Sequence, residues 1–478
     1  MKKYTMVFAS VLMSALISVP AYAQTSEEDE GYNIEAHIEG ISNSEIYLGF
    51  HYGNKQYIQD TTKLDENGHG VFSGEEKLQQ GIYLIITPAK KYFELLIGED
   101  QNFSFTTNQE NFLETSEFKG SDINEKFNDY QKFMNRQNQK SQVLRDRLEK
   151  NEDNKDSTEV LKEQLQELDK EVKNNWKKIV ENTPNTILAS IVKAMQTPET
   201  PDFEIPDTAE NQDSIRWVKR YRYHKNHYFD RLDLSDERLV RTPILHNKIQ
   251  NYFDNIVLQD PDTVIKEVDR VIKLTDGNDE TFEYITRFLL NEYQQSNIMG
   301  MDKVFVHIAE KYYLSGEADW VNENTLKQLQ ERVDRLKPNL IGNEAPDLKL
   351  PTIKSEFANL QDINSEYTVL YFWEPDCGHC KKTSPKLWEL YEEYDRDQLE
   401  IFAVYTQTDE EEWKNYINDN EFDWINVWDP QHTSDFRSKY DIYSTPTIYL
   451  IDKNKRIIAK RIDHNSLKQM LEQKLDSE

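Results

Sequence analysis

Cysteine is scarce in this chain, with only Cys377 and Cys380 among 478 residues. Two residues separate the pair, so a disulfide between them would close a very small loop and constrain the unfolded chain little. The sequence therefore excludes a framework of several disulfides, and chemistry explains the pair better than stability does. A single structural bridge and a zinc site remain alternatives, although zinc needs four ligands and no second cysteine pair or suitably spaced histidine pair is present.

Basic residues and long apolar runs are also few. The chain has 57 Lys and Arg against 87 Asp and Glu, a formal net charge of −30. A surface of that sign repels phosphate backbones, which argues against a nucleic-acid partner. Beyond the first 23 residues, no segment approaches the about 20 apolar residues that a membrane-spanning helix needs. We therefore expect a soluble mature protein without a transmembrane helix.

The first 23 residues have a different composition from the rest. Two lysines precede an apolar run from Met6 to Val19, and Ala21-Tyr22-Ala23 supplies the small-x-small pattern of a cleavage site. This pattern predicts a signal peptide over residues 1–23 and export to the periplasm, with Gln24 as the mature N-terminus. No cysteine stands at that point, so lipid attachment there is not expected. A cytosolic protein with an apolar N-terminus is the alternative.

The composition and the spacing of apolar residues change along the chain, which predicts a multi-domain protein. Residues 24–30 form an acidic leader, and residues 31–119 contain short alternating runs between turn signals. These runs predict an N-terminal antiparallel β-rich domain, a small sandwich or barrel. Residues 120–336 have apolar residues at helical spacing and many aromatics, which predict a central all-α region with an aromatic core.

Residues 341–478 have the pattern of an α/β domain. A buried strand over 368–373 is followed by a helix beginning at Cys377 and a strand over 400–405. After further helices and a short strand, residues 446–462 predict a hairpin, and a last helix ends near Leu475. Strands alternating with helices and ending in a hairpin predict a parallel sheet with an antiparallel edge.

Two cysteines at C-x-x-C spacing at the start of a helix are typical of a reversible redox pair. The N–H groups and the dipole at a helix N-terminus stabilise a thiolate there, and the thiolate is the form that attacks a disulfide. We assign Cys377 as the nucleophile and Cys380, one turn later, as the resolving thiol. The intervening Gly378 and His379 are predicted to tune the pair, since His379 can add positive charge beside the thiolate.

A second motif, Thr445-Pro446, precedes a predicted strand. A cis proline in a tight turn there would present strand-like backbone groups beside the redox pair, and a client chain could pair with them as an added strand. The alternative is an ordinary turn proline.

Together these residues resemble the thioredoxin superfamily, and specifically its TlpA/ResA-like branch of exported reductases. The segments that carry the resemblance are Phe372-Trp373, Cys377-Gly378-His379-Cys380, Pro385, and Thr445-Pro446 before Tyr449-Leu450-Ile451-Asp452. The resemblance implies a C-terminal thioredoxin-like fold and a client-binding surface at Trp373, Thr445 and Pro446. It implies disulfide exchange with thiol- or disulfide-bearing envelope proteins, an upstream membrane thiol donor or acceptor, and no organic cofactor or metal.

The sequence departs from that family at two positions. Thioredoxins carry a buried acid in the strand before the motif, where this chain has Tyr371, and Asp376 replaces the usual tryptophan before the nucleophile. A carboxylate at Asp376 would disfavour the Cys377 thiolate by like-charge repulsion. Proton transfer at Cys380 must then use Glu374 or water. Glu374 and Asp376 are thus candidate tuning residues, and solvated loop acids are the alternative reading.

The sequence as a whole predicts a periplasmic thiol–disulfide oxidoreductase that serves cell redox homeostasis. Two alternatives stay open. A protein-binding scaffold would use the thioredoxin-like domain only for docking and would show no insulin-disulfide reductase activity. A disulfide oxidase or isomerase would use the same pair in another direction, and its reduction potential would distinguish it from a reductase.

Overall fold

A computed structural model describes residues 31–151 and 154–475. The predicted signal peptide, residues 1–23, and the leader, residues 24–30, lie outside the described residues. By internal contacts the described residues divide into one compact unit of residues 31–49 with 58–162 and a second of residues 50–57 with 163–475. Among the described residues, none of the helices combines the length and the apolarity that crossing a bilayer requires.

The N-terminal part is β-rich, as predicted. Its elements are β1 (Tyr32–Glu39), β2 (Glu45–Tyr52), β3 (Lys55–Lys63), β4 (His69–Gly74), β5 (Gly81–Ile86), β6 (Tyr92–Ile97), β7 (Asn102–Asn108), the short helix α1 (Phe112–Thr115) and β8 (Glu117–Lys119). They form two four-stranded sheets, ordered β4-β1-β7-β8 and β3-β2-β5-β6. Along β1, buried residues alternate with more exposed ones, because successive side chains of a strand point to opposite faces. Most of the pairs are antiparallel, but β1 and β7 run parallel.

The central region is helical. Its helices are α2 (Asp122–Lys150), α3 (Lys155–Asn182), α4 (Ile187–Met195), α5 (Gln212–His227), α6 (Pro243–Asn251), α7 (Pro261–Lys273), α8 (Asp279–Gln295), α9 (Asp302–Ile308) and α10 (Glu323–Leu336). The aromatic residues from Tyr228 onward supply much of its core, and Tyr252 and Phe253 are almost fully buried. Trp217 does not belong to this core, because 66 % of its surface is exposed and it stacks on Tyr221.

The C-terminal part has the predicted α/β architecture. Its elements are β9 (Lys349–Pro351), β10 (Phe357–Asn359), β11 (Tyr367–Trp373), α11 (Gly378–Glu392), β12 (Leu399–Tyr405), α12 (Glu410–Asn420), β13 (Ile425–Trp428), α13 (Phe436–Lys439), β14 (Thr447–Asp452), β15 (Ile457–Lys460) and α14 (His464–Leu475). A five-stranded sheet has the order β13-β12-β11-β14-β15. Strands β13, β12 and β11 run parallel, and β14 is antiparallel to both β11 and β15.

Strand β11 lies at the centre of this sheet and is buried on both faces. Its run of apolar and aromatic side chains therefore removes a large apolar area from water, which anchors the strand firmly. The end of the strand at Trp373 therefore has a fixed position in the domain. The loop to α11 and the first turn of that helix consequently have a well-defined position over the sheet.

A buried carboxylate attaches helix α10 to the α/β domain. The side chain of Asp441 has no exposed surface and pairs with Arg332 of α10, Nη1 to Oδ1 2.5 Å, and with Arg461. One turn further along α10, Nη1 of Arg335 donates to the hydroxyl of Tyr443 at 2.9 Å. A charge removed from water must be paired to be tolerated, so these ion pairs hold α10 against the loop that precedes β14.

We expect Arg332→Ala to destabilise this unit by about 1–3 kcal/mol, the cost of leaving a buried charged group short of a partner. The measurement is the urea midpoint followed by tryptophan fluorescence. Arg335→Ala is the matched control, since its guanidinium is exposed, donates to the Tyr443 hydroxyl and interacts with Asp441 and Glu331 at longer range. The urea midpoint of Arg335→Ala should correspond to a loss of unfolding free energy below about 0.5 kcal/mol. Equal losses in the two variants would contradict the assignment.

Candidate active site

The Cys377 sulfur lies between the start of helix α11 and the loop that leads into strand β14. Cys377 is the N-cap of α11, and its Sγ accepts a hydrogen bond from the Cys380 N–H at 3.4 Å. The same sulfur donates to the backbone oxygen of Thr445 at 3.4 Å. Both cysteines are free thiols, Cys377 half-buried and Cys380 buried. The arrangement presents one sulfur to solvent and keeps the second directly behind it.

The environment of Cys377 favours its thiolate. Partial burial acts to raise its pKa, but hydrogen bonds from the Cys380 N–H and thiol, the Thr445 side chain and the His379 N–H together hold the pKa below its ordinary value. Hydrogen bonds to the charged form of a group are the reason for such a shift. A larger fraction of Cys377 is therefore ionised near neutral pH than of an ordinary cysteine, in spite of the carboxylate at the preceding position.

The environment of Cys380 does the opposite. Only 1 % of the residue is exposed, and burial, with the nearby Cys377 sulfur, raises its pKa to about 12 against hydrogen bonds from the Glu374 N–H and the Thr445 side chain. Cys380 consequently stays protonated at neutral pH until something assists its ionisation. The two thiols, although close in space, have clearly different acidities, which is the property that separates a nucleophile from a resolving group.

Thr445 and Glu374 form a polar bridge beside the two sulfurs. The Thr445 hydroxyl donates to Oε1 of Glu374, and Nε2 of Gln407 donates to Oε2 of the same carboxylate at 2.5 Å. The Thr445 hydroxyl also lies within hydrogen-bonding reach of both sulfurs. A hydroxyl has one proton to donate, so Thr445 can serve either the carboxylate or a sulfur at any moment. The peptide bond from Thr445 to Pro446 is cis, as the sequence predicts.

The other predicted site residues occupy two different environments. Gly378, His379 and Asp376 are exposed around the first turn of α11. Trp373 has no exposed surface and lies in the core beneath the site, and its indole Nε1 has no hydrogen-bond partner among the residues that the structure describes. Its side chain therefore offers no area to a client at the surface. Among the described residues, no group of three or more His, Cys, Asp or Glu side chains is arranged to hold a metal ion.

A cleft of about 500 Å³ opens next to the cis proline. His379 and Thr383 of α11 line it together with Tyr443 and Arg461. Pro446 also lines it and is half-buried. The cleft thus adjoins the first two turns of α11, the helix whose N-cap is Cys377.

Models of three families match different parts of the chain. Residues 341–460 match the AhpC/TSA family. Residues 148–339 and 32–127 match two families described as domains of unknown function, DUF5106 and DUF4369. The match to the AhpC/TSA family covers both cysteines.

Several known proteins are similar to part of this chain. Thiol-disulfide oxidoreductase ResA of Bacillus cereus is 27 % identical over 130 residues, which are 27 % of this chain and 74 % of that protein. The thioredoxin-like protein YneN of Bacillus subtilis is 29 % identical over 138 residues, 28 % of this chain and 78 % of that protein. The solved domain of a possible thiol-disulfide isomerase from Cytophaga hutchinsonii is 37 % identical, covering 29 % of this chain and 95 % of that one, with a TM-score of 0.27.

Proposed function

We propose, from the match of residues 341–460 to the AhpC/TSA family, that the protein is a thiol–disulfide oxidoreductase acting through Cys377 and Cys380. The observation that carries the proposal is the contrast between the two thiols. One is partly exposed at a helix N-terminus with a lowered pKa, and the other is buried behind it with a raised pKa. Relatives named as thiol–disulfide oxidoreductases support the same reaction class.

Cys377 acts as the nucleophile. Its thiolate attacks one sulfur of a client disulfide, a bond forms between Cys377 and that sulfur, and the client disulfide breaks. The other client sulfur leaves as a thiolate and takes a proton from solvent. The product is a mixed disulfide between Cys377 and the client.

Cys380 resolves the mixed disulfide. Once it has lost its proton, its sulfur attacks Cys377, the Cys377–Cys380 disulfide forms, and the client leaves with its second thiol. We assign Glu374 as the group that accepts the Cys380 proton, with the Thr445 hydroxyl as the bridge, because that hydroxyl donates to Glu374 and reaches the Cys380 sulfur. His379, Gly378 and Asp376 are proposed to tune the pair from the exposed first turn.

Clients are proposed to bind along Thr445, Pro446 and the adjoining cleft. The Thr445 carbonyl already contacts the Cys377 sulfur at 3.4 Å, so an extended client placed beside this backbone would bring its own sulfur to Cys377. Backbone pairing accepts many sequences, which suits an enzyme with several envelope proteins as clients. Trp373 is left out of this surface because it is fully buried.

We further propose that the protein works in the periplasm after export and that an upstream membrane partner returns the pair to its starting redox state. We also propose that residues 31–119 form the β-rich domain, residues 120–336 the helical domain and residues 341–478 the thioredoxin-like domain. The first two domains are proposed to position the thioredoxin-like domain rather than to perform chemistry.

The test is insulin-disulfide reduction together with a redox titration of the purified protein. We expect the wild type to accelerate insulin reduction at least about tenfold over a Cys377→Ser/Cys380→Ser variant, and the pair to have one defined potential within roughly −270 to −120 mV. A value near the oxidising end would favour an oxidase or isomerase. Absence of both reduction and a defined potential would contradict the proposal and favour a docking scaffold.

A further inference from the structure

Tyr371 has no role in the proposed reaction so far, although its hydroxyl lies close to the Cys380 sulfur. The residue lies in the middle of β11, between Ala403 of β12 and Ile448 of β14. It has no exposed surface. Its hydroxyl lies 2.8 Å from Oγ of Ser384 and within hydrogen-bonding reach of the Cys380 sulfur. A polar group so deeply buried is normally retained only when it has partners.

Ser384 belongs to the same arrangement. It follows Cys380 by four residues in α11, so the two side chains lie on the same face of the helix, the face that covers β11. Ser384 is fully buried, and only 1 % of the Cys380 surface is exposed. Tyr416 of α12 is half-buried, and its hydroxyl lies within hydrogen-bonding reach of Ser384. Among the described residues, the Cys380 sulfur thus lies near the Tyr371 hydroxyl, the Cys377 sulfur, the Glu374 N–H and the Thr445 hydroxyl, which bridges to the Glu374 carboxylate.

Hydroxyl groups at this place act differently from a carboxylate. A carboxylate could accept a proton from the thiol, but for as long as it stays ionised it would repel a thiolate beside it. A phenol stays neutral, since burial raises the pKa of Tyr371 well above its ordinary value, so it can donate its O–H to a sulfur without adding negative charge beside it. Its O–H directed at a sulfur stabilises negative charge on that sulfur, and a donor already fixed in place needs no reorganisation when the charge forms.

We propose that Tyr371 is a catalytic residue that donates a hydrogen bond to the Cys380 sulfur as its thiolate forms, and that Ser384 is a positioning residue that donates to the Tyr371 oxygen. The chain of donors runs from Ser384 to Tyr371 to the sulfur. This inference rests on the proposed function, because it concerns the resolving step. In that step the Cys380 proton leaves to solvent or to Glu374, the new disulfide to Cys377 forms, and the mixed disulfide breaks.

A two-phase reaction with dithiobis(nitrobenzoate) isolates this step. Cys377 attacks the reagent and releases one coloured thiolate, and Cys380 then displaces the second from the mixed disulfide. In Tyr371→Phe we expect the second phase to slow about tenfold at pH 7, the size expected for loss of one hydrogen bond to a charged group. The first phase should be unchanged. The pH midpoint of the second phase should rise by about one unit in the same variant.

Matched variants separate the hydrogen bond from general packing. Ser384→Ala should slow the second phase by a smaller factor, and Ser384→Thr, which restores a hydroxyl, should recover the rate. Tyr405→Phe is the control, because Tyr405 is buried in the neighbouring strand and its hydroxyl accepts from the Asp409 N–H. Its second phase should equal that of the wild type.

Two results would overturn the inference: an unchanged second phase in Tyr371→Phe with its pH midpoint unmoved, or equal slowing in Tyr405→Phe. Failure of the proposed function is a different result. In that case the two phases would still be seen with the small reagent, whereas the wild type would not reduce a protein disulfide.

Discussion

Replacing Cys380 with serine is expected to convert a transient mixed disulfide into a stable covalent product. Cys377 keeps its helix N-terminal position and still attacks, but the sulfur that would displace the client is gone. Release then depends on thiols from solution, so the lifetime of the mixed disulfide should increase roughly a hundredfold or more, since an oriented intramolecular reaction is replaced by a bimolecular one. Envelope proteins should accumulate on Cys377 and can be identified by mass spectrometry after non-reducing electrophoresis.

The matched controls for this trap are Cys377→Ser and the double variant. Neither can form a mixed disulfide at position 377, so both should yield no covalent partners. Reducing agent should release every partner from the Cys380→Ser protein. If Cys380→Ser captured nothing in cells where the wild type is active, exchange with client proteins would be contradicted.

Alkylation of the reduced protein is expected to modify Cys377 and to spare Cys380. The thiolate is the reactive form, and because the pKa of Cys377 lies below its ordinary value, its rate should reach half of its maximum at a lower pH than that of an unperturbed cysteine. With a pKa of about 12, only roughly one Cys380 side chain in 10⁵ is ionised at pH 7. We expect the two rates to differ by at least about a thousandfold.

Peptide mass mapping after timed exposure to iodoacetamide, repeated across about pH 5 to 9, measures both rates. The Cys377→Ser variant reports on Cys380 alone, and burial should keep its reaction slow there too. Comparable rates for the two thiols, or a pH midpoint for Cys377 equal to that of a small-molecule thiol, would contradict the division of roles.

Features that depend on short stretches of sequence were predictable. The C-x-x-C spacing after an apolar strand places Cys377 at the N-cap of α11, and the local motif around Thr445 and Pro446 predicts the cis bond. The alternation of strands and helices predicts the parallel sheet with its antiparallel edge. Ser384 could have been found as well, since it follows Cys380 by one helical turn.

Contacts between segments that are distant in the sequence could not be predicted from local patterns. Arg332 and Asp441 are 109 positions apart, and no periodicity links them. Gln407 contacts Glu374 because β11 and β12 are parallel neighbours that end at the same edge, which requires knowledge of strand order. Alternating burial identifies the faces of β1 but not the direction of its neighbour β7, and the three-residue strands β9 and β10 are too short to leave a pattern.

The placement of one sulfur in contact with solvent and the other behind it has a consequence for oxidative damage. A peroxide reaches Cys377 first and converts it to a sulfenic acid, a species that further oxidant takes irreversibly to the sulfinic acid unless a thiol intercepts it. Cys380 stands one helical turn away, shielded from the same oxidant, and condenses with the sulfenic acid to give a disulfide and water. The normal reductant of the pair then repairs the lesion.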